Sequence, residues 1–183
     1  MTKLSLPRPT AGDVVELILE DHRLFEDLLR QLRDATADRE AARQALADVL
    51  IAHGEAEEQE VYPTLVRKDA IDTDEAEHGE HEHAEGNEKL LVLLECKGTD
   101  TQKFDDAVEE LQKALMHHIG EEEQTILNPA RTEVSEAVRA ELGASFAAAR
   151  NALLDEGPGS VANVRRIVQE AAREGKLEDD EDE

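Results

Sequence analysis

An all-α chain is predicted by three observations. Apolar residues recur at helical spacing through most of the 183 residues. Only Phe25, Tyr62, Phe104 and Phe146 are aromatic, fewer than a large β-sandwich or barrel normally uses. No stretch shows the alternation of a half-buried strand. The connections are short, which favours antiparallel neighbours.

The elements follow in order. Met1 to Pro9 reads as an irregular lead-in carrying two prolines. Thr10 is expected to cap a first helix, with Asp13 three residues on in an approximate capping box. That helix runs to about Arg33. A second covers about Asp38 to Tyr62 and stops at Pro63, because proline lacks the N–H that continues a helix. Lys68 to Asp74 is polar connection. A third helix spans about Glu75 to Lys97 and ends at Gly98, a natural C′ residue. The fourth spans about Thr101 to Leu127, ahead of Asn128-Pro129. An alanine-rich fifth covers about Thr132 to Glu156 before the breaker Gly157-Pro158-Gly159. Ser160 caps a last helix that ends near Gly175. Residues 176–183 hold six acids and one lysine and read as a disordered acidic tail. The expected organisation is a lead-in over 1–10, a helical bundle over 11–130, a helical extension over 131–175 and the tail.

Composition narrows the function. With 45 acids against 20 bases the net charge is −25, so phosphate-rich nucleic acid and anionic membranes are unfavourable partners. Any protein partner stays open. The single Cys96 excludes an internal disulfide framework and fits a reducing, cytoplasmic setting. Nothing resembles a signal peptide, and the longest aliphatic run, Leu90 to Leu94, is too short to span a bilayer.

Seven histidines lie between residues 22 and 118, and six of them carry a carboxylate four residues later. In so acidic a chain that count is weak evidence, since about two such pairs arise by chance at this acid content. Helical phase is the sharper test, at about 100° per residue. His22 shares a face with Ile18, Phe25 and Leu29. His53 shares one with Leu46, Val49 and Leu50, and Glu57 follows on it. His83 falls on the face of Leu90, Leu91 and Leu94. Phe104, Val108, Leu111 and Leu115 form a stripe that continues into His118 and Glu122. His117 points about 100° away from His118, His81 nearly opposite the core face and His78 well off it.

Four helices therefore each send one histidine inward, and two add a glutamate one turn later. The order repeats: His22 and His83 are 61 residues apart, His53 and His118 are 65 apart, as in a duplicated hairpin. Buried carboxylates without partners cost several kcal/mol each. No Lys or Arg lies on these stripes to neutralise Glu57 or Glu122, whereas a bound cation does so directly. Imidazole with carboxylate suits iron, zinc, manganese or copper. Six candidate ligands, His22, His53, Glu57, His83, His118 and Glu122, exceed the four of a closed structural zinc and point to two metals that the glutamates can bridge. Ferritin-like sites use Glu-x-x-His on two helices, a pattern found here only as Glu75/His78 and Glu80/His83 in one segment.

The chain resembles the hemerythrin-like, HHE cation-binding family. The carrying residues are His22 in DHRLFEDLL, His53 and Glu57 in HGEAEEQEVYP, His83 in EHAEGNEKLL, and His118 with Glu122 in HHIGEEEQTILNP. The resemblance covers about residues 11–130. It implies an antiparallel four-helix bundle, with one or two extra C-terminal helices lying outside the motif. It also implies a non-heme centre of two iron ions, oxo- or hydroxo-bridged, with Glu57 and Glu122 bridging and the histidines terminal. Oxygen, peroxide or nitric oxide is the implied small ligand, and catalase-like peroxide disproportionation an implied activity. An iron- or oxygen-sensing module without turnover, acting through a partner, is the alternative, and a purely structural bundle leaves the inward glutamates unexplained. Oxygen-carrying hemerythrins are expected to have a further histidine one turn after the third-helix ligand, where this chain has Asn87. Tyr62 is nearly opposite His53 in phase and reads as a helix-end packing residue. Glu26, Glu60 and Glu121 are candidates for supporting or substitute ligands. His78 and His81 could hold a further metal, although an acidic helix start is normally a solvated face.

Overall fold

The computed structural model describes residues 2–177 and is helical throughout its regular structure. The helices are α1 (Val14–Arg33), α2 (Arg39–Ala56), α3 (Tyr62–Arg67), α4 (Thr73–Leu94), α5 (Gln102–Glu122), α6 (Asn128–Glu133), α7 (Glu136–Glu156) and α8 (Val161–Arg173). A π turn, Glu57–Val61, fuses α2 to α3, and a second, Glu123–Leu127, fuses α5 to α6. Six rods result. Those of α1, α2, α4 and α5 form the four-helix bundle, α7 lies against α1 and α2, and α8 lies against α4. No described helix is long and apolar enough to cross a membrane.

Local chemistry accounts for the boundaries. Asp13, not Thr10, is the N-cap of α1, its carboxylate accepting from the Val15 N–H at 2.9 Å. Asp38, Asp72, Thr101, Ser135 and Ser160 cap α2, α4, α5, α7 and α8 in the same way. Gly157 ends α7 in the left-handed region at φ 65°, where a β-carbon is strained. Pro63 and Pro129 do not stop their helices as expected. Each follows a π turn whose bonds run from residue i+5, Tyr62 to Glu57 and Asn128 to Glu123. The widened turn admits the pyrrolidine ring, and proline then occupies the first turn of the next segment, where no N–H is needed.

Two apolar slabs make the core. One contains Phe25, Leu28, Leu32, Leu46, Leu90, Phe104, Leu111 and Leu115. The other contains Val14, Ile18, Val61, Tyr62, Leu65, Ile126, Leu127, Leu142 and Phe146. Along α1 and α4 the chain passes from the second slab to the first, and along α2 and α5 it returns, as antiparallel rods must. On each of the four bundle rods the inward histidine falls between the slabs, with Glu57 and Glu122 one turn later on two of them.

The C-terminal extension packs on the bundle. Arg139 bonds Asp13 at 2.7 Å, and the Gly159 N–H donates to Asp48 at 2.9 Å. Lys176, assigned from sequence to the acidic tail, lies 3.1 Å from Glu80. Residues 178–183, the rest of that tail, lie outside the described residues.

A matched pair of glycine substitutions checks this packing. A β-carbon on Gly143 would lie 1.8 Å from the Gly12 carbonyl oxygen, whereas one on Gly120 meets nothing within 4 Å. Gly143→Ala is expected to lower stability by about 1–3 kcal/mol. Gly120→Ala, an exposed position inside α5, is expected to raise it by about 0.5–1 kcal/mol. Chemical denaturation of both variants measures the contrast.

Candidate metal centre

The six side chains singled out by phase converge between the slabs. Glu57 reaches His53 Nε2 with Oε1 at 3.0 Å and His83 Nε2 with Oε2 at 3.1 Å. Glu122 Oε2 lies 3.1 Å from His22 Nε2 and 3.6 Å from His118 Nε2. Glu57 is 0% exposed and Glu122 1%, so both are shielded from bulk solvent. The donors form two groups that share Glu57: His22, His53, Glu57 and Glu122 in one, Glu57, His83 and His118 in the other.

The atoms that face one another here lack hydrogen-bond partners. They are Nε2 of His22, His53 and His118, both oxygens of Glu57, and Glu122 Oε2. Close approach without hydrogen-bond geometry, among fully buried donors, is what a shared cation accommodates. The donor chemistry, imidazole and carboxylate without thiolate, fits one or two borderline-hard transition ions.

The opposite edge of every imidazole is held by a carboxylate. His53 Nδ1 lies 3.0 Å from Asp21, His118 Nδ1 2.8 Å from Glu82, His83 Nδ1 2.8 Å from Glu58 and His22 Nδ1 3.2 Å from Glu123. An Nδ1–H donated outward leaves the Nε2 lone pair inward, which sets the tautomer a metal ligand needs. These four acids are not the expected supports. Glu26 is exposed and Glu60 half-buried, and neither contacts a histidine among the described bonds; Glu121 meets His78 and His117 instead. The missed signal lies in the repeat. An acid precedes each lone histidine (Asp21-His22, Glu82-His83) and another follows each inward glutamate (Glu57-Glu58, Glu122-Glu123).

Tyr62 corrects a second expectation. It is buried, donates its phenol to Glu122 Oε1 at 2.8 Å, lies 3.4 Å from His83 Nε2, and stacks on the His83 ring. The π turn inserts one residue between His53 and Tyr62, rotating Tyr62 by about 100° from its regular α-helical phase. Gly79 makes the space, since a β-carbon there would lie 2.9 Å from the tyrosine ring. The phenol takes one oxygen of Glu122, so Glu57 alone offers both.

The extension supplies two further residues that no bundle motif encodes. Phe146 of α7 meets the His53 ring edge-on at 5.7 Å. Arg150, 1% exposed, holds Asp21 with two bonds of 2.7 Å. On the other flank a cavity of about 390 Å³ runs from His53, His83 and His118 past Asn87 to Lys176 near α8. It gives a small molecule a way to the centre.

Electrostatics follow from burial against charge. Burial pulls the His53 imidazole down, but Glu57 and Asp21 outweigh it and lift it to about 10. His22 and His83 are likewise raised, burial being overcome by Glu122 for the first and by Glu57 and Glu58 for the second. Burial would raise Glu57, yet His53 and His83 hold it well below the usual carboxylate range. Burial and the neighbouring Glu122 push the Tyr62 phenol well up, so it keeps its proton.

A family model described as the hemerythrin HHE cation binding domain matches residues 13–130. Comparisons with curated proteins and with solved structures return no match.

Two outcomes are expected from this geometry. Arg150→Met leaves Asp21 buried without its counter-charge and should cost about 3–5 kcal/mol; adding Asp21→Asn should recover much of it, read by denaturant unfolding. In chelator-stripped protein the His53 proton is held more tightly folded than unfolded. Its contribution to stability is fully present below about 6.5 and fades as pH rises toward about 10. Metal must displace that proton, so loading releases protons near neutrality and its affinity climbs over the same range; calorimetry in buffers of different ionisation enthalpy measures both.

Proposed function

The chain belongs to the hemerythrin HHE cation-binding family, and from that premise we propose that it is a non-heme di-iron protein acting on oxygen, peroxide or nitric oxide. The observation that carries this reading is the set of buried, mutually facing donor atoms that nothing else in the protein satisfies. His22, His53 and Glu122 would hold one ion, His83 and His118 the other, and Glu57 would span both. When bound, a pair of irons supplies a two-electron couple and open coordination for a small oxidant.

The protein's own groups prepare the rest. Asp21, Glu58, Glu82 and Glu123 orient the four imidazoles. Tyr62 holds a proton 2.8 Å from Glu122 Oε1, beside the place where a reacting oxygen would need one. The two apolar slabs and the Phe25 and Phe146 rings packed on His53 keep bulk water from that side. Asn87, lining the cavity where the resemblance would place a further imidazole, leaves room for an exchangeable ligand. That favours reaction with peroxide, two molecules giving oxygen and two waters, over simple carriage. The lone, buried Cys96 suits a reducing, cytoplasmic setting. A sensing role draws on the Arg150–Asp21–His53 chain, which ties α7 to the centre and could pass its loading state to a partner.

Iron content, near-ultraviolet absorption and gas evolution on adding peroxide test the reading. Two irons per chain with oxygen evolution support disproportionation. Two irons with colour that follows oxygenation reversibly mean carriage, and two irons with neither leave sensing. Protein that takes up no metal on reconstitution sinks the site. His118→Ala should lose iron, whereas His117→Ala should retain it.

A further inference from the structure

The repeat that builds the centre is broken in one place. Asp21 and Glu82 play the same part, each preceding a lone histidine and each holding the Nδ1 of the next helix's histidine. Asp21 is neutralised by Arg150 through both its oxygens. Glu82 is also buried, 7% exposed, but no Arg or Lys bonds it among the described residues. Its Oε2 serves His118, and its Oε1 is buried without a hydrogen-bond partner. That oxygen is aimed outward into a second cluster.

The cluster consists of two facing one-turn pairs, His78 and Glu82 on α4 against His117 and Glu121 on α5. Glu82 Oε1 lies 3.6 Å from His78 Nε2 and 3.3 Å from His117 Nε2. Glu121 lies 3.0 Å from His78 Nε2 through Oε2 and 3.7 Å from His117 Nε2 through Oε1. Metal–donor bonds of 2.0–2.2 Å in a tetrahedron place donors about 3.3–3.6 Å apart; the two Glu82 edges fall in that range, and one donor atom each of His78, Glu82 and Glu121 lie within 4.8 Å of one another. His78 and His117 are half exposed, which opens the cluster to solvent. His81, paired with His78 in the sequence reading, is exposed and takes no part.

We propose that His78, Glu82 and Glu121 form an outer site for a divalent transition cation of the zinc class, with His117 beside Glu82 as a fourth donor. The ion stands to Glu82 as Arg150 stands to Asp21. Two imidazoles and two carboxylates are a four-coordinate donor set for such an ion, and calcium or magnesium would want oxygen ligands throughout. Glu82 is shared: one oxygen faces the outer ion and the other orients His118.

Zinc alone serves as the probe, counted by equilibrium dialysis on the full-length chain. Wild type and His81→Ala should bind the same amount. His78→Ala/His117→Ala should bind one equivalent fewer, with iron uptake at the inner centre unchanged. Each single variant should weaken the outer equivalent roughly tenfold or more. Both histidines are surface residues on established helices, so the variants should fold, which far-ultraviolet circular dichroism verifies. A double variant that binds as much zinc as wild type overturns the outer site, as does an equal loss in His81→Ala. Failure of the inner reading is separate, since it appears as absent iron uptake in wild type.

Discussion

Two carboxylates, Glu57 and Glu122, are buried at the middle of the bundle with no Lys or Arg bonded to them among the described residues. Much of the molecule answers that constraint. Ionised carboxylates in such a place are costly, and four imidazoles and the Tyr62 phenol are the groups brought to them. Imidazoles can serve as proton carriers or as metal ligands, and the carboxylates at their outer edges settle which nitrogen faces inward. The apolar slabs above and below raise the cost of leaving the charges unmet, and so strengthen the hold on a cation that meets them.

The repeated hairpin makes this economical. One pattern, acid-His followed by His-x-x-x-Glu-Glu, supplies an inward imidazole, a second imidazole with its orienting acid, an inward carboxylate and the acid that orients the lone histidine of the other hairpin. The two halves then differ where function needs them to. Tyr62 in the first repeat places a phenol at the centre, where the second has Asn128 ahead of its proline. Arg150 from the extension neutralises Asp21, whereas Glu82 turns to the His78 and His117 pair. The extension, outside the matched family region, is thereby coupled to the site rather than appended to it.

Helical phase made much of the centre legible. His22, His53, His83 and His118 stood out from His78, His81 and His117 because a regular helix turns by a constant angle, and the stripes they share with leucines are long. The same rule misplaced Tyr62, because a π turn changes the angle and its only sequence trace is a proline that fails to end the helix. It also misjudged the supporting acids. Glu26 and Asp21 are both acids near His22, and only the approach of α2 and α7 decides that Asp21 is the one used.

The division has a physical basis. Sequence by itself determined the rods, their apolar faces and the inward direction of six side chains, all of which depend on residues within a turn or two. Tertiary structure alone decided which of 45 acids act at the centre, that α7 lends it an arginine and a phenylalanine, and that a surface pair of His-x-x-x-Glu turns faces another across two helices. Those outcomes depend on contacts between residues distant in the chain, and one carboxylate looks like any other until its neighbours arrive.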